Sequence, residues 1–162
     1  MSLDEDLRRI AEQERRLQFP SFDPAGAWLL GTRLKEAAEA KGAAVAIDIS
    51  LHGRPLFFYA MPGTTPSNAD WIRRKRNTVF RFFRSSYAMG LLMESRKTTL
   101  ADAYGLAPAD YADAGGSVPL QIAGQGAIGA VTVSGLPQRD DHSLVVSVLA
   151  ATLGLDIADV AL

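Results

Sequence analysis

The chain has 162 residues, the size of one domain, and its 48 % apolar and 22 % charged content excludes a disordered polymer and provides for a sizeable core. The formal net charge is −1, so no overall field draws nucleic acid or an anionic membrane toward it. Cysteine is absent, which removes disulfides, thiolate nucleophiles and Cys-ligated metal sites and agrees with a reducing, cytoplasmic setting.

The first residues, MSLDEDLRRIAEQERRLQ, are charged rather than apolar and do not read as a secretory signal. No apolar run has the length of a membrane span. A soluble, cytoplasmic protein with no membrane partner is expected. The whole of 1–162 reads as a single domain, with 1–18 an N-terminal helix.

From Asp4 to Leu17, Leu7, Ile10, Glu14 and Leu17 recur at three- and four-residue steps, a thin apolar stripe on a solvated helix. FPSFDP interrupts it. Asp23 with Pro24 starts a second helix that runs to about Ala40, with Ala27, Leu30, Leu34, Ala37 and Ala38 inward. AVAIDISLHGRPLFFYA predicts a hairpin. Val45, Ile47 and Ile49 alternate with Ala46, Asp48 and Ser50, His52-Gly53 turns, and Leu56 to Ala60 returns. After the loop MPGTTPSN, Thr65-Pro66 opens a third helix to about Phe83. Tyr87 to Met93 continues as helix, and Thr98 to Ala114 mixes loop with short helix. Val118–Ala123 and Ala127–Ser134 are strands joined at Gly124-Gln125-Gly126. The last helix runs from near Pro137 to near Gly154, with Leu144, Val145, Val148, Leu149 and Leu153 on its stripe. The tail LDIADVAL reads as a strand, a short helix or a docking arm.

GQGAIG, from Gly124 to Gly129, has the letters of a dinucleotide-binding loop. That chemistry needs a strand before the glycines and a helix after them, so that the helix N-terminus meets the phosphates. Here AVTVSG follows, which alternates as a strand. Gly124 and Gly126 therefore supply positive φ to a tight turn. Gly129 marks a bulge or a close approach of two backbones. Strands come in consecutive pairs between helices, which gives an α+β class with helices on an antiparallel sheet.

FPSFD, VAIDI, MPGTTPSNADWIRRKRNTV, SSY, GGSVPL and GAIGAVTVSGLPQRDDH together resemble the haem-degrading-domain family (GlcG/HbpS-like), in its small cytoplasmic branch. The resemblance runs from about Phe19 to Leu149. It implies a profilin-like fold, a central antiparallel sheet flanked by helices. It also implies homo-oligomers and, in some members, haem binding or degradation. The family tends to carry His before the Gly-Gly of YADAGG, where this chain has Ala114.

WIRRKRNTVFRFFR holds the densest positive charge. Arg73, Asn77, Arg81 and Arg84 share a face that water can cover. Ile72, Arg76, Phe80 and Phe83 form one row and Trp71, Lys75, Val79 and Phe82 the next, so Lys75 and Arg76 interrupt the apolar side. Such charges snorkel to solvent, pair with carboxylates (Asp48, Asp140 or Asp141, or a neighbouring subunit), or face a pocket and take an anionic ligand. Nucleic acid is the weaker alternative, because the aromatic residues fall on the inner stripe and the net charge is negative.

His52 falls in a turn. His142 follows Asp140 and Asp141 at the start of the last helix, where carboxylates complement the helix dipole. Its sharper reading joins Asp141 and His142 in a ligand site, with His142 a lone metal candidate lacking an i,i+4 partner. G-x-S-x-G is absent, so Ser134-Gly135 reads as a cap or turn, and Ser85-Ser86-Tyr87 as a helix break. Tyr59, Tyr87, Tyr104 and Tyr111 read as packing residues, and Met61 and Met89 as gap fillers.

Two expectations follow. One is a small-ligand site, haem-related by resemblance, with Arg73, Arg74, Lys75 and Arg76 accepting an anion and Asp141 and His142 near the reactive group. The other is a non-catalytic oligomeric scaffold or interaction module. Whether any reaction is catalysed is left open.

Overall fold

A computed structural model describes residues 1–162. Its elements are α1 (Leu3–Arg16), β1 (Gln18–Phe19), α2 (Pro24–Ala40), β2 (Ala46–Leu51), β3 (Arg54–Ala60), α3 (Pro66–Phe82), α4 (Ser86–Ser95), α5 (Leu100–Tyr104), β4 (Ser117–Ile122), β5 (Gly126–Ser134) and α6 (Gln138–Leu153). A short 3-10 turn, Ala158–Val160, closes the chain. No helix is long and apolar enough to cross a membrane.

The sheet order is β1-β4-β5-β2-β3. β2/β3, β2/β5 and β4/β5 are antiparallel, as the paired strands require. β1 runs parallel to β4, with Gln18 opposite Gln121 and Phe19 opposite Ile122. The sheet is therefore mixed, which corrects the purely antiparallel expectation. A two-residue strand is too short to show alternation, so nothing in the sequence marked it.

The period-two pattern of β2 sorts the two sheet faces. Val45, Ile47 and Ile49 join Val118, Leu120, Val131 and Val133 in one apolar cluster with α2 and α6. The opposite face carries Asp48, Ser50, Ser117, Thr132 and Ser134, and all five are buried. They lie beneath α3 and α4 and are satisfied there by hydrogen bonds rather than by water. Ser117 and Thr132 share a hydroxyl contact of 2.8 Å, and Ser117 N–H donates to Ser86 Oγ at 3.1 Å.

Gly124 and Gly126 have φ of 80° and 89° and form the β4–β5 turn. A side chain at Gly129 would collide with Ser50 O of β2, and a register shift lies opposite it at Leu120/Gln121. The three glycines thus serve a hairpin. His52 (φ 51°) and Gly53 (φ 77°) turn the first hairpin.

α3 ends one residue earlier than its aromatic row suggests. Phe83 takes a left-handed φ of 54° and leaves the helix, so it is exposed rather than inward. Trp71 is also corrected: at 39 % exposure it lies on the rim of α3, not in the core. α4 is capped by Ser85, whose Oγ accepts Ala88 N–H at 3.1 Å. Met61, Met89 and Tyr87 are buried, whereas Tyr104 stays partly open and meets Phe82 edge-on at 4.8 Å.

α1 and the terminal turn fasten each other to the body. Arg16 pairs with Asp159 at 2.8 Å, Asp6 with Arg139 of α6 at 2.7 Å, and Glu14 Oε1 accepts Ser85 N–H at 2.6 Å.

Candidate functional site

The polar face of the sheet opens at one end into a cleft of about 290 Å³ between α3, the end of β5 and the start of α6. Thr65 and Asn68 form the box that caps α3, with Asn68 Oδ1 accepting Thr65 N–H at 3.0 Å. The Asn68 amide then reaches Ser134 O at 3.2 Å and ties α3 to β5. Seven residues on, Lys75 points into the floor of the cleft.

Lys75 is 2 % exposed. Its ammonium donates to Val133 O at 2.7 Å, Gly115 O at 3.0 Å and Asp141 Oδ2 at 3.3 Å. Three donors meet three acceptors, which is the arrangement a charged ammonium requires. Asp141 accepts Leu136 N–H at 2.9 Å and Gly135 N–H at 3.4 Å. This carboxylate, not Ser134, organises the turn into α6. Burial pushes the Lys75 amine below its ordinary value, against the pull of Asp141. Burial likewise pushes Asp141 up, against Lys75 and the two backbone N–H groups. A side chain at Gly116 (φ 134°) would collide with Lys75 Nζ, so glycine there makes room for the ammonium.

The walls are Asn68, Trp71, Ala114, Gly115, Leu136 and Gln138. Gln138 Oε1 accepts Gly115 N–H at 3.1 Å. The Arg74 guanidinium stacks on Trp71, 4.5 Å from the ring centroid, and stiffens that wall.

The four cations of α3 do not converge. Arg73 bonds Asp70, Asp110 at 3.0 Å and Ala109 O at 2.8 Å. Arg74 donates to Pro108 O at 2.7 Å. Both therefore pin the loop after α5 instead of lining the cleft. Arg76 pairs with Asp48 at 3.0 Å under α3. Of the carboxylates named from the sequence, Asp48 and Asp141 are the partners, and Asp140 is in no ion pair.

His142 is also separated from the cleft. Successive helical residues point about 100° apart, so Asp141 faces α3 while His142 faces α1. Its side chain is fully buried, with Nε2 at 2.9 Å from Gln13 Oε1 and Tyr87 at 5.4 Å between ring centroids. Gln13 Nε2 donates to Val160 O at 2.7 Å, which fixes the amide and leaves Oε1 as acceptor. The ring proton therefore sits on Nε2, and Nδ1 has no partner. Burial, reinforced by Arg139, pushes His142 down to about 3. No group of three or more His, Cys, Asp or Glu side chains is placed to hold a metal ion.

Sequence reasoning singled out Lys75, Asp141 and position 114, and the structure brings these into one cleft. It missed Asn68 and Gly116, and it assigned Trp71 to the core. Only the Thr65-x-x-Asn68 spacing carried a signal, that of a capping box.

A family model described as "Haem degrading protein HbpS-like" matches residues 22–150. A UPF0303 protein of Burkholderia cenocepacia is 56 % identical over 162 residues, covering 100 % of this chain and 98 % of its own length. A UPF0303 protein of Rhizobium etli is 56 % identical over 157 residues, 97 % and 95 % of the two chains. Among solved structures, the Ybr137w protein superposes with a TM-score of 0.86 at 33 % identity, over 91 % of this chain and 87 % of that one. HbpS superposes at 0.66 with 22 % identity, over 85 % and 93 %. PduOC in its complex with haem gives 0.65 at 19 %, over 75 % and 88 %. The last two likenesses bear on the fold alone.

Proposed function

The chain belongs to the HbpS-like family, in its UPF0303 branch, and from that premise we propose that it is a homo-oligomeric, cytoplasmic small-ligand-binding protein whose site is the cleft between α3 and α6. The observation that carries this is the meeting of Lys75, Asp141 and Ala114, each marked by the sequence for a different reason, in one concavity. The order β4-β5-β2-β3, antiparallel throughout, supports a profilin-like framework beneath it.

Family membership is consistent with a haem role. The residues present do not fit ligation of its iron. His142 is sealed behind Gln13, His52 lies in the β2–β3 turn, position 114 is Ala, and Lys75 has its donors engaged. No oxygen chemistry is therefore assigned. The cleft suits the organic part of a planar anionic ligand. Trp71 offers a ring face, and the Asn68 and Gln138 amides and the first turn of α6 offer polar partners.

Haemin titrated into the protein should give a saturable Soret change. Ala114→Phe, which fills the cleft, and Trp71→Ala, which removes its wall, should each weaken binding at least tenfold. Absence of a saturable change, or unaltered affinity in both variants, overturns the ligand-binding proposal. The second reading, a non-catalytic scaffold, draws on the engagement of Arg73, Arg74, Lys75 and Arg76 within the chain itself.

A further inference from the structure

We propose that the outer edge of β3, with the groove between β3 and α2, is where a second copy of this chain docks, strand against strand. The proposal rests on the homo-oligomeric reading above and locates its interface.

β3 is the last strand of the sheet, so its outer side has no partner. Its run Leu56-Phe57-Phe58-Tyr59-Ala60 carries no charge. Proteins usually protect such an edge with charged residues, proline or a covering element. Here Arg54, Pro55 and the bulge at Leu56 guard only its first three residues, and Phe57 to Ala60 are left open. The exposed apolar residues gather beside it: Phe58 at 50 % and, on the facing side of α2, Trp28 at 67 %.

Between these elements lies a groove of about 470 Å³, built on Leu56 and Phe57 and rimmed by Thr32, Lys35 and Glu36. Trp28 is held edge-on to Phe57, 5.7 Å between centroids, so the aromatic surface is ordered before anything binds. Lys35 lies over Tyr59 and pairs with Glu39. Lys35 is thus neutralised within the chain, Glu36 keeps a free carboxylate on the rim, and the centre is apolar, the anatomy of a subunit contact.

Area separates a docking face from scattered surface residues. At 150–250 Å² for a free aromatic side chain, the open fractions of Trp28, Phe58 and Tyr59 sum to roughly 350 Å². It is divided between the two faces of the edge, Trp28 and Tyr59 toward α2 and Phe58 on the opposite face, so a strand-to-strand seam covers both. Leu56, the strand backbone and the rim add to this area toward the ~800 Å² per partner of a stable interface.

A second copy fits this face better than any other occupant because it presents an identical unpaired edge. Antiparallel pairing about a two-fold axis joins two five-stranded sheets into one of ten strands. It sets the α2 helices side by side, with both Trp28 rings over the seam. Pro55 has no N–H and Leu56 is bulged, so the pairing ends there and is confined to Phe57–Ala60. The other sheet edge, β1, is two residues long, so pairing consumes the one extended free edge and stops at pairs.

The absence of native cysteine makes the test direct. Light scattering of the wild type should give an oligomer, and Phe58→Lys, folded by circular dichroism, should halve its mass. Among Leu56→Cys, Phe58→Cys and Ala60→Cys, at least one should oxidise to a covalent dimer, while Arg8→Cys on the outer face of α1 should not. A wild-type oligomer whose mass survives Phe58→Lys, with no disulfide from any of the three, overturns this interface and leaves the homo-oligomeric reading standing. A wild-type monomer overturns both.

Discussion

Lys75→Met is expected to destabilise the protein by about 3–5 kcal/mol, because it leaves the buried Asp141 charge without its cation. Two carbonyls, Gly115 O and Val133 O, lose their donor in the same step. For a chain of this size the melting temperature should fall by roughly 10 °C. Adding Asp141→Asn should recover part of the loss, since it removes the orphaned charge while its carbonyl oxygen still accepts Leu136 N–H. The sign with pH follows from Asp141, whose folded value is raised by burial. A raised acid holds its proton longer in the folded state, so the damage in Lys75→Met should be smaller at pH 5 than at pH 8. Urea unfolding of the wild type and the two variants measures this. A loss below about 1 kcal/mol would mean that the pair is solvated rather than buried.

Lowering the pH should destabilise the wild type through His142. The ring is held at about 3 in the folded protein, against an ordinary value of 6.5. Between those values the unfolded chain binds a proton that the folded chain excludes. The stability is therefore fully present above pH 6.5 and is lost as pH falls toward 3. Between pH 7 and pH 4 the contribution amounts to about 3 kcal/mol. Glu14 and Asp141, both raised by burial, act in the opposite direction, so the His142 part is read as the difference between wild type and His142→Asn. The wild type should lose more stability over this interval than the variant does. Equal losses would show that the ring is already charged or wet in the native state.

Much of the fold was legible because its apolar residues keep strict periods. Ile47 and Ile49 alternate with Asp48 and Ser50, and Leu144, Val145, Val148 and Leu149 recur along α6, as their places in the core require. What sequence could not convey is that both faces of β2 are buried. Asp48 and Ser50 look like a solvated face until α3 is laid over them. Lys75 and Arg76 then cease to interrupt an apolar stripe and become the partners of a polar layer.

The candidate site was half legible for the same reason. The charge pattern selected Lys75 and named Asp141 among its partners, but chain neighbours need not share a direction. Arg73 and Arg74 directly precede Lys75 yet reach the loop at Pro108–Asp110, and His142 follows Asp141 yet faces Gln13. Gln13 lies 129 residues away and in a different helix, so nothing local to His142 announces its burial.

The chain contains two tryptophans, and each marks one of the two open surfaces: Trp71 the cleft, Trp28 the groove at β3. Their two indole N–H signals, followed by NMR as paramagnetic haemin is added, test directly whether ligand enters the cleft between α3 and α6. The expected result is broadening of the Trp71 signal, together with the side-chain amides of Asn68 and Gln138, while Trp28 stays sharp. Broadening of Trp28 with Trp71 untouched, or no selective effect on either, would contradict it.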